Sequence, residues 1–409
     1  MLEKHDIGFE EALSRTVQCL SPLTAVDLPV DQCCGLVSAD DIVAAVDCPS
    51  TTTSLRDGYA VISADVMGAS TANPARLKMI GMAAAGEERD LKVEQGSAVK
   101  VMTGASIPQG ANTVVAEEFT QEESGWVAFL RDAAPQQNIL SRGSDVTKGN
   151  PLACRGDVLT PAMTGLLAAG GIHTVRAHPL PQVGIVSTGD EVVAPGHALK
   201  PGQLYASNLV TLLSWLRHFR IEAEATVVPD REDRLRMTME AMLKKVDALL
   251  TSGGAWKSER DLTARTVAKM GGETIFHRVR LGPGKAVGLM VVAGKPVFCL
   301  PGGPPSNEMA FLQIALPGLL RMAGRQPIPF ESRTARLSAP VAGDSAWTQF
   351  LQARLEQDQG QWLAHPLRMR SRLQSQAGAE ALIKIPEGVE RLDQGEEAEI
   401  QVLRGSGPP

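Results

Sequence analysis

Three stretches of this 409-residue chain carry an apolar run straight into hydroxylic residues, prolines or glycines. They are Ser187-Thr188-Gly189-Asp190-Glu191, Thr251-Ser252-Gly253-Gly254 and Leu300-Pro301-Gly302-Gly303-Pro304. Glycine lets backbone amides approach a ligand closely, and a following helix offers unpaired N–H groups and the positive end of its dipole. Side by side, the three would form a crevice for an anionic, phosphate-bearing ligand. Gly282-Pro283-Gly284-Lys285 adds a cation beside two glycines; alone it reads equally well as a tight turn with an exposed lysine. None of these matches the Walker lysine loop or Gly-x-Gly-x-x-Gly, which disfavours an ordinary NTPase or dinucleotide enzyme. Acids at strand ends, such as Asp230 and Asp261, could hold a hard cation such as Mg2+ through carboxylates, water and substrate phosphate; Asp190 and Glu191, taken alone, read as solvating a loop. For Asp230, standing before Arg231-Glu232, capping a helix is the commoner role.

These residues need strands that end at one edge. From residue 182 onward strands alternate with helical segments: 183–186 with 208–219, 222–228 with 232–246, 248–250 with 261–270, and 297–300 with 306–322. That alternation predicts a doubly wound α/β domain with a mainly parallel sheet, and ligands gather at the carboxyl ends of such strands. Pro317 should bend or divide the last helix. Upstream, Phe9, Leu13, Val17 and Leu20 have helical spacing. Residues 42–129 hold short β-prone runs (59–62, 97–102, 113–115) between turn residues, the pattern of a compact β-rich module. Within it, Arg56-Asp57-Gly58-Tyr59 and Met102-Thr103-Gly104-Ala105 read, taken alone, as turns. Thr160-Pro161 opens a helix with Met163, Leu166 and Leu167 on its apolar side and Gly170-Gly171 as its stop. Residues 333–403 alternate again, as a small β domain would.

Composition narrows the classes. The chain is too long for one core, so several domains are expected. Hydrophobic content of 44% and charged content of 21% describe an ordinary globular protein. A net charge of -6 and 4% aromatic residues argue against a nucleic-acid binder. Six cysteines without Cys-x-x-Cys spacing suit reduced thiols, and the scattered histidines show no zinc pattern. No segment resembles a signal peptide or a membrane span, so a cytoplasmic location is expected.

The ordered set Asp57-Gly58-Tyr59-Ala60, Met102-Thr103-Gly104-Ala105, Arg142-Gly143-Ser144-Asp145, Ser187-Thr188-Gly189-Asp190-Glu191, Ser252-Gly253-Gly254, Pro283-Gly284-Lys285 and Leu300-Pro301-Gly302 resembles the molybdopterin molybdenumtransferase family, MoeA and the gephyrin E domain. Each motif is weak alone; their order over nearly the whole chain is specific. The resemblance implies a homodimer of four-domain subunits: 1–45 with 145–176 as a discontinuous, mixed N-terminal domain, 46–144 as an inserted β-rich domain, 177–326 as the α/β molybdopterin-binding domain, and 327–409 as a β-barrel-like C-terminal domain. It implies insertion of molybdate into adenylylated molybdopterin with release of AMP. The family's pocket would set Asp57, Thr103 and Asp145 of one subunit opposite Glu191, Asp230 and Asp261 of the other. Arg278 and Lys285 would neutralise oxyanions. Ser187, Thr188, Gly189, Ser252, Gly253, Gly254, Pro301, Gly302, Ser306 and Ser375 would contact substrate. Glu191 and Asp261 are the candidate ligands for Mg2+. A molybdopterin adenylyltransferase and molybdoenzyme acceptors are the partners implied.

The chain departs from the family inside its motifs. Thr53-Ser54-Leu55-Arg56 replaces Asn-Ser-Ala-Met, and Ala206-Ser207-Asn208 lacks an acid. Gly253-Gly254-Ala255-Trp256-Lys257-Ser258 replaces Gly-Gly-Val-Ser-Val-Gly. Gly282 stands where the family has lysine, Arg278 replaces another lysine, Gly303 an asparagine of the proline loop, and Glu380 a C-terminal asparagine. Lys257 is expected to supply the cation lost at Gly282, with Trp256 reshaping the pocket. An altered paralogue that binds or delivers molybdopterin, or molybdenum or tungsten cofactor, without inserting metal is the alternative function; an unrelated nucleotide hydrolase is a third.

Overall fold

The computed structural model describes residues 6–86, 90–253, 262–358, 360–367 and 371–403. They fall into two units. One comprises the described residues up to Asp27, Gly35–Ala39 and those from Arg176 on; the other comprises Leu28–Cys34 and Asp40–Val175.

The first unit contains the α/β sheet. Its six strands run in the order Ala223–Val228, Val183–Thr188, Ala248–Ser252, Lys295–Leu300, Gly288–Val292, Glu273–His277. The first four are mutually parallel, while the last two join antiparallel. Successive side chains on a strand point to opposite faces, and the core divides accordingly. Ile185, Leu250 and Phe298 pack with the helix Ser207–His218 and with the helical run from Pro304 to Met322. Val186, Leu249, Val297 and Cys299 pack with helices Glu232–Leu243 and Leu262–Lys269 on the other side. Helices thus cover both faces, as the alternation predicts. The hairpin Gly288–Val292/Lys295–Leu300 is not among the expected elements; its signal is Val292-Ala293-Gly294-Lys295, where Ala293 and Gly294 both take positive φ in a two-residue turn.

Pro317 does divide its helix. A π-helical turn, Phe311–Ala315, lies between Pro304–Ala310 and Leu316–Met322. Proline has no N–H for the carbonyl four residues back and its ring crowds that group, so the ladder is released over the preceding turn. The helix Phe9–Cys19 packs on this run, burying Phe9, Ala12 and Thr16. Its buried face is turned from the expected Leu13/Val17 line, and the Thr16 hydroxyl is satisfied by the Ala12 carbonyl at 2.8 Å.

The same unit holds a closed barrel. Strands Glu331–Leu337, Thr348–Asp358, Gln361–Pro366, Ala381–Ile385 and Glu397–Val402 form a ring, because Thr348–Asp358 pairs with both Gln361–Pro366 and Ala381–Ile385. Closure removes the exposed edges. Small inward residues make it possible: Ala335, Ala353, Ala364, Ala381 and Ala398 are buried at its centre. Strand Val279–Gly282 attaches to the barrel sheet in parallel, pairing Leu281 with Thr348 and Gly282 with Gln349. That attachment carries the glycine–lysine loop.

The second unit is built on a six-stranded sheet in the order Thr120–Glu123, Trp126–Arg131, Ser70–Ala83, Ser97–Val101, Gly58–Val61, Thr113–Ala116. Apolar clusters line both faces, one around Tyr59, Val115 and Phe129 and one around Ala60, Val99 and Val114. The helix Pro161–Ala169 begins as expected, with the Thr160 side chain accepting from the Met163 N–H at 3.2 Å. Of its three expected core residues only Leu167 is buried; Leu166 is 39% exposed.

Candidate active site

Strand order brings the three predicted endings together. Ser187 is in register with Ser252, and Ser252 with Leu300. The Gly253 N–H donates to the Leu300 carbonyl at 3.3 Å. Gly253 has φ +100°, and a Cβ there would stand 2.4 Å from the Thr188 carbonyl oxygen. Only glycine lets these two strand ends approach so closely. Two asparagines fix the crevice floor. Asn307 Nδ2 donates to Ser252 Oγ (3.1 Å) and to the Pro301 carbonyl (2.8 Å). Asn208 Nδ2 donates to the Gly302 carbonyl (2.8 Å) and to Ser252 Oγ (3.3 Å). Ser187, Ser252 and Pro301 are buried, whereas Gly302 is exposed at the surface of the crevice.

The carboxylates at this edge have separate jobs. Asp230 does not cap the helix Glu232–Leu243, whose N-cap is Arg231 with no side-chain cap bond. Its Oδ1 instead accepts the Thr188 hydroxyl at 2.5 Å, and its N–H donates to Asp190 Oδ1 at 3.1 Å. The capping expectation therefore fails: strand Ala223–Val228 lies beside Val183–Thr188, so a cross-strand hydroxyl is nearer than the helix amides. Glu191 is exposed and has no side-chain hydrogen bond or ion pair among the described residues. Among the described residues no three His, Cys, Asp or Glu side chains group as a metal site. Magnesium needs no such cage, since it takes one or two carboxylates and completes its shell with water and phosphate; the open Glu191 carboxylate is a donor of that kind.

A cavity of about 360 Å³ is lined by the loop Gly282, Pro283, Gly284 and Lys285, by Arg278 and Leu281 before it, and by Pro301, Ser306 and Trp347. It contains two cations and no acid. Gly284 has φ +132° and packs on Leu281, so a Cβ there would come within 2.8 Å of Leu281 Cδ2. Arg278 takes φ +79°, an unfavourable conformation for a side-chain-bearing residue that clusters at functional sites. Its own N–H donates to the Val287 carbonyl at 2.8 Å, and its guanidinium has Asp6 at 4.0 Å. The Lys285 ammonium lies over the Trp347 ring, 4.2 Å from its centre.

In the second unit, Asp57 and Thr103 are joined. Asp57 Oδ1 accepts from the Thr103 N–H at 2.6 Å and from its hydroxyl at 2.8 Å. The backbone bond first, then the hydroxyl bond, hold the Asp57 carboxyl below the usual carboxylate range. Both residues are exposed, so the pair faces water rather than a core. Asp145 is also exposed; its N–H donates to the Cys48 carbonyl at 3.0 Å, and nearby Arg142 pairs with Asp47 at 2.7 Å.

Of the predicted residues, Arg278, Lys285, Pro301 and Ser306 share the cavity, and Ser187, Thr188, Gly189, Ser252, Gly253 and Gly302 belong to the adjoining strand endings. Ser375 does not line the cavity; it is buried and its hydroxyl donates to the Ser371 carbonyl at 3.2 Å. Gly254, Trp256, Lys257 and Asp261 lie outside the described residues. The sequence reading missed Trp347 and Asn307. Trp347 immediately precedes a barrel strand and becomes visible only through the pairing of that strand with the loop strand. Asn307 follows Pro304-Pro305-Ser306, and an amide in the first turn of a buried helix is its only signal.

Comparisons with known proteins agree over the whole chain. Residues 7–171 match the family described as MoeA N-terminal region (domain I and II), 184–321 the probable molybdopterin binding domain, and 334–403 the MoeA C-terminal region (domain IV). The molybdopterin molybdenumtransferase 2 of Mycobacterium tuberculosis is 31% identical over 398 residues, covering 96% of this chain and 97% of that one. The molybdopterin molybdenumtransferase of Haemophilus influenzae is 33% identical over 326 residues, 78% of each chain. A crystal structure of the MoeA protein from Pyrococcus horikoshii superposes with a TM-score of 0.81 at 35% identity, covering 98% of this chain and 100% of that one. With its motifs in order and its fold and sequence shared from end to end, the chain belongs to the MoeA family of molybdopterin molybdenumtransferases.

Proposed function

We propose that this chain acts in molybdenum cofactor biosynthesis, inserting molybdate into the dithiolene of adenylylated molybdopterin and releasing AMP. The observation that carries this reading is the acid-free cavity holding Arg278 and Lys285 beside the glycine-rich strand endings. A tetrahedral oxyanion needs fixed positive charge with free N–H donors, and the pyrophosphate of an adenylylated pterin needs close backbone amides. The cavity supplies the first, and the ending at Gly302, with Gly254, would supply the second, while Gly253 lets the strand ends come close enough to present them. Breaking the link to AMP builds negative charge on the leaving phosphate, which Lys285 and Arg278 would neutralise where they stand.

The remaining roles belong to the same proposal. Thr188 and Asp190 hold Asp230 at the strand edge, and Ser187, Gly189 and Ser306 support the substrate-facing surface. Glu191 with Asp261 would hold Mg2+, which when bound adds charge neutralisation at phosphate. In the homodimer, Asp57, Thr103 and Asp145 of one subunit would face Glu191, Asp230 and Asp261 of the other. The four-part division at 1–45 with 145–176, 46–144, 177–326 and 327–409, a homodimer, a cytoplasmic location, and exchange with a molybdopterin adenylyltransferase and molybdoenzyme acceptors accompany this reading. No helix among the described residues is long and apolar enough to cross a membrane.

The test is incubation of the purified protein with adenylylated molybdopterin and molybdate. AMP release with metal-loaded cofactor is expected. Tight binding without AMP release, or turnover of ordinary nucleotides instead, would overturn the assignment.

A further inference from the structure

Gly282 offers no side chain, so Lys285 is the only cation of its loop. Its partner is unusual for an ammonium in a ligand cavity: no acid lines the space, and the contact is the face of Trp347 at 4.2 Å. The backbone that carries the indole is firmly placed. The Trp347 backbone N–H donates to the Asp344 carbonyl (2.9 Å), Asp344 Oδ1 accepts from the Ala346 N–H (3.0 Å), and the Asp344 N–H donates to Gln349 Oε1 (2.8 Å). Thr348 and Gln349 are then locked in register with Leu281 and Gly282. On the other side, the Lys285 carbonyl accepts from the Val279 N–H at 3.0 Å. Ring and ammonium are therefore presented to each other by two backbones tied into one sheet.

The choice of partner matters chemically. A carboxylate would neutralise the ammonium and occupy one or two of its three N–H donors. A ring face attracts the cation through its quadrupole but accepts no strong hydrogen bond, so charge and donors stay available. A free lysine, by contrast, would lose rotamer freedom on meeting a ligand.

We propose that Trp347 is a positioning residue that holds the Lys285 ammonium pre-set for a tetrahedral oxyanion in this cavity. The proposal rests on the anion-binding reading given above and adds to it the group that orients the cation.

A double-mutant cycle tests it, using isothermal titration of the full chain with sodium molybdate at fixed ionic strength. Trp347→Leu keeps apolar bulk and removes the ring; it should weaken molybdate binding roughly tenfold. Trp347→Phe keeps a ring face and should recover most of that loss. In a Lys285→Met background, Trp347→Leu should change the affinity less than about twofold, because nothing is left to orient. Wild-type affinity in Trp347→Leu, failure of Phe to do better than Leu, or an equal loss with and without Lys285 would overturn the inference. If Lys285→Met itself leaves molybdate binding unchanged, the anion reading of the cavity falls and this inference with it. The two failures are thus told apart by the single Lys285 variant.

Discussion

Gly253 and Gly302 stand at neighbouring strand endings, yet the structure assigns them opposite tolerance to a side chain. In Gly253→Ala the residue must keep φ near +100° and place its Cβ 2.4 Å from the Thr188 carbonyl oxygen. A left-handed conformation costs a non-glycine residue about 1–2 kcal/mol. The overlap is with backbone, which cannot swing aside as a flexible side chain would, and forcing packed elements apart costs about 1–3 kcal/mol. Together these give roughly 2–5 kcal/mol, or a melting temperature lower by about 5–15 °C for a domain of this size. In Gly302→Ala the nearest atom is the Gly253 Cα at 3.6 Å and φ is not positive. That variant should stay within about 0.5 kcal/mol of the parent. Scanning calorimetry on both proteins decides the matter. Equal melting shifts, or a Gly253→Ala protein within about 2 °C of the parent, would refute the claim that the close approach of Thr188 and Gly253 builds the crevice.

Two further outcomes concern the second unit. The Thr103 bonds depress the Asp57 carboxyl below its ordinary 3.8, so the stability they add is present above that value and is lost as pH falls through the depressed one. Thr103→Val removes the hydroxyl bond and leaves the backbone bond, so the carboxyl should titrate at higher pH, read from its carbon-13 shift; an unmoved titration would contradict the pairing. Burial first, then a 2.8 Å bond to Glu122, push the Tyr59 phenol up to about 12. Glu122→Gln should bring its titration down, measured by absorbance near 295 nm, whereas an unchanged curve would leave burial as the whole cause.

The α/β strands were legible because each pairs an apolar run with abrupt turn residues, and parallel strands buried on both faces show little else. The endings Ser187–Glu191 and Ser252–Gly253 could be named in advance for the same reason: small residues after a buried strand have few structural purposes apart from close approach. What lay beyond reach was adjacency. Asp230 reads as a helix cap until strand Ala223–Val228 is known to lie beside Val183–Thr188, where the Thr188 hydroxyl claims it. The barrel's closure depends on one strand pairing twice, and its alanines give no periodic signal of that.

Trp347 is the sharpest instance. In the sequence it is a lone aromatic after Asp344-Ser345-Ala346, with nothing to separate it from a loop anchor. Its contact with Lys285 arises only because Val279–Gly282 leaves the α/β sheet's neighbourhood to pair with a barrel strand. The loop's lost side chain at Gly282 and the ring at Trp347 therefore belong to one local arrangement. A Cβ on Gly282 would come 3.2 Å from Gln349 Cγ, so a larger residue there would have to displace the Gln349 side chain, two residues from the indole. Departures from a family pattern that look like separate losses in sequence can meet in one place in the fold, and here the loop that lacks a side chain at Gly282 keeps the Lys285 ammonium over the Trp347 ring.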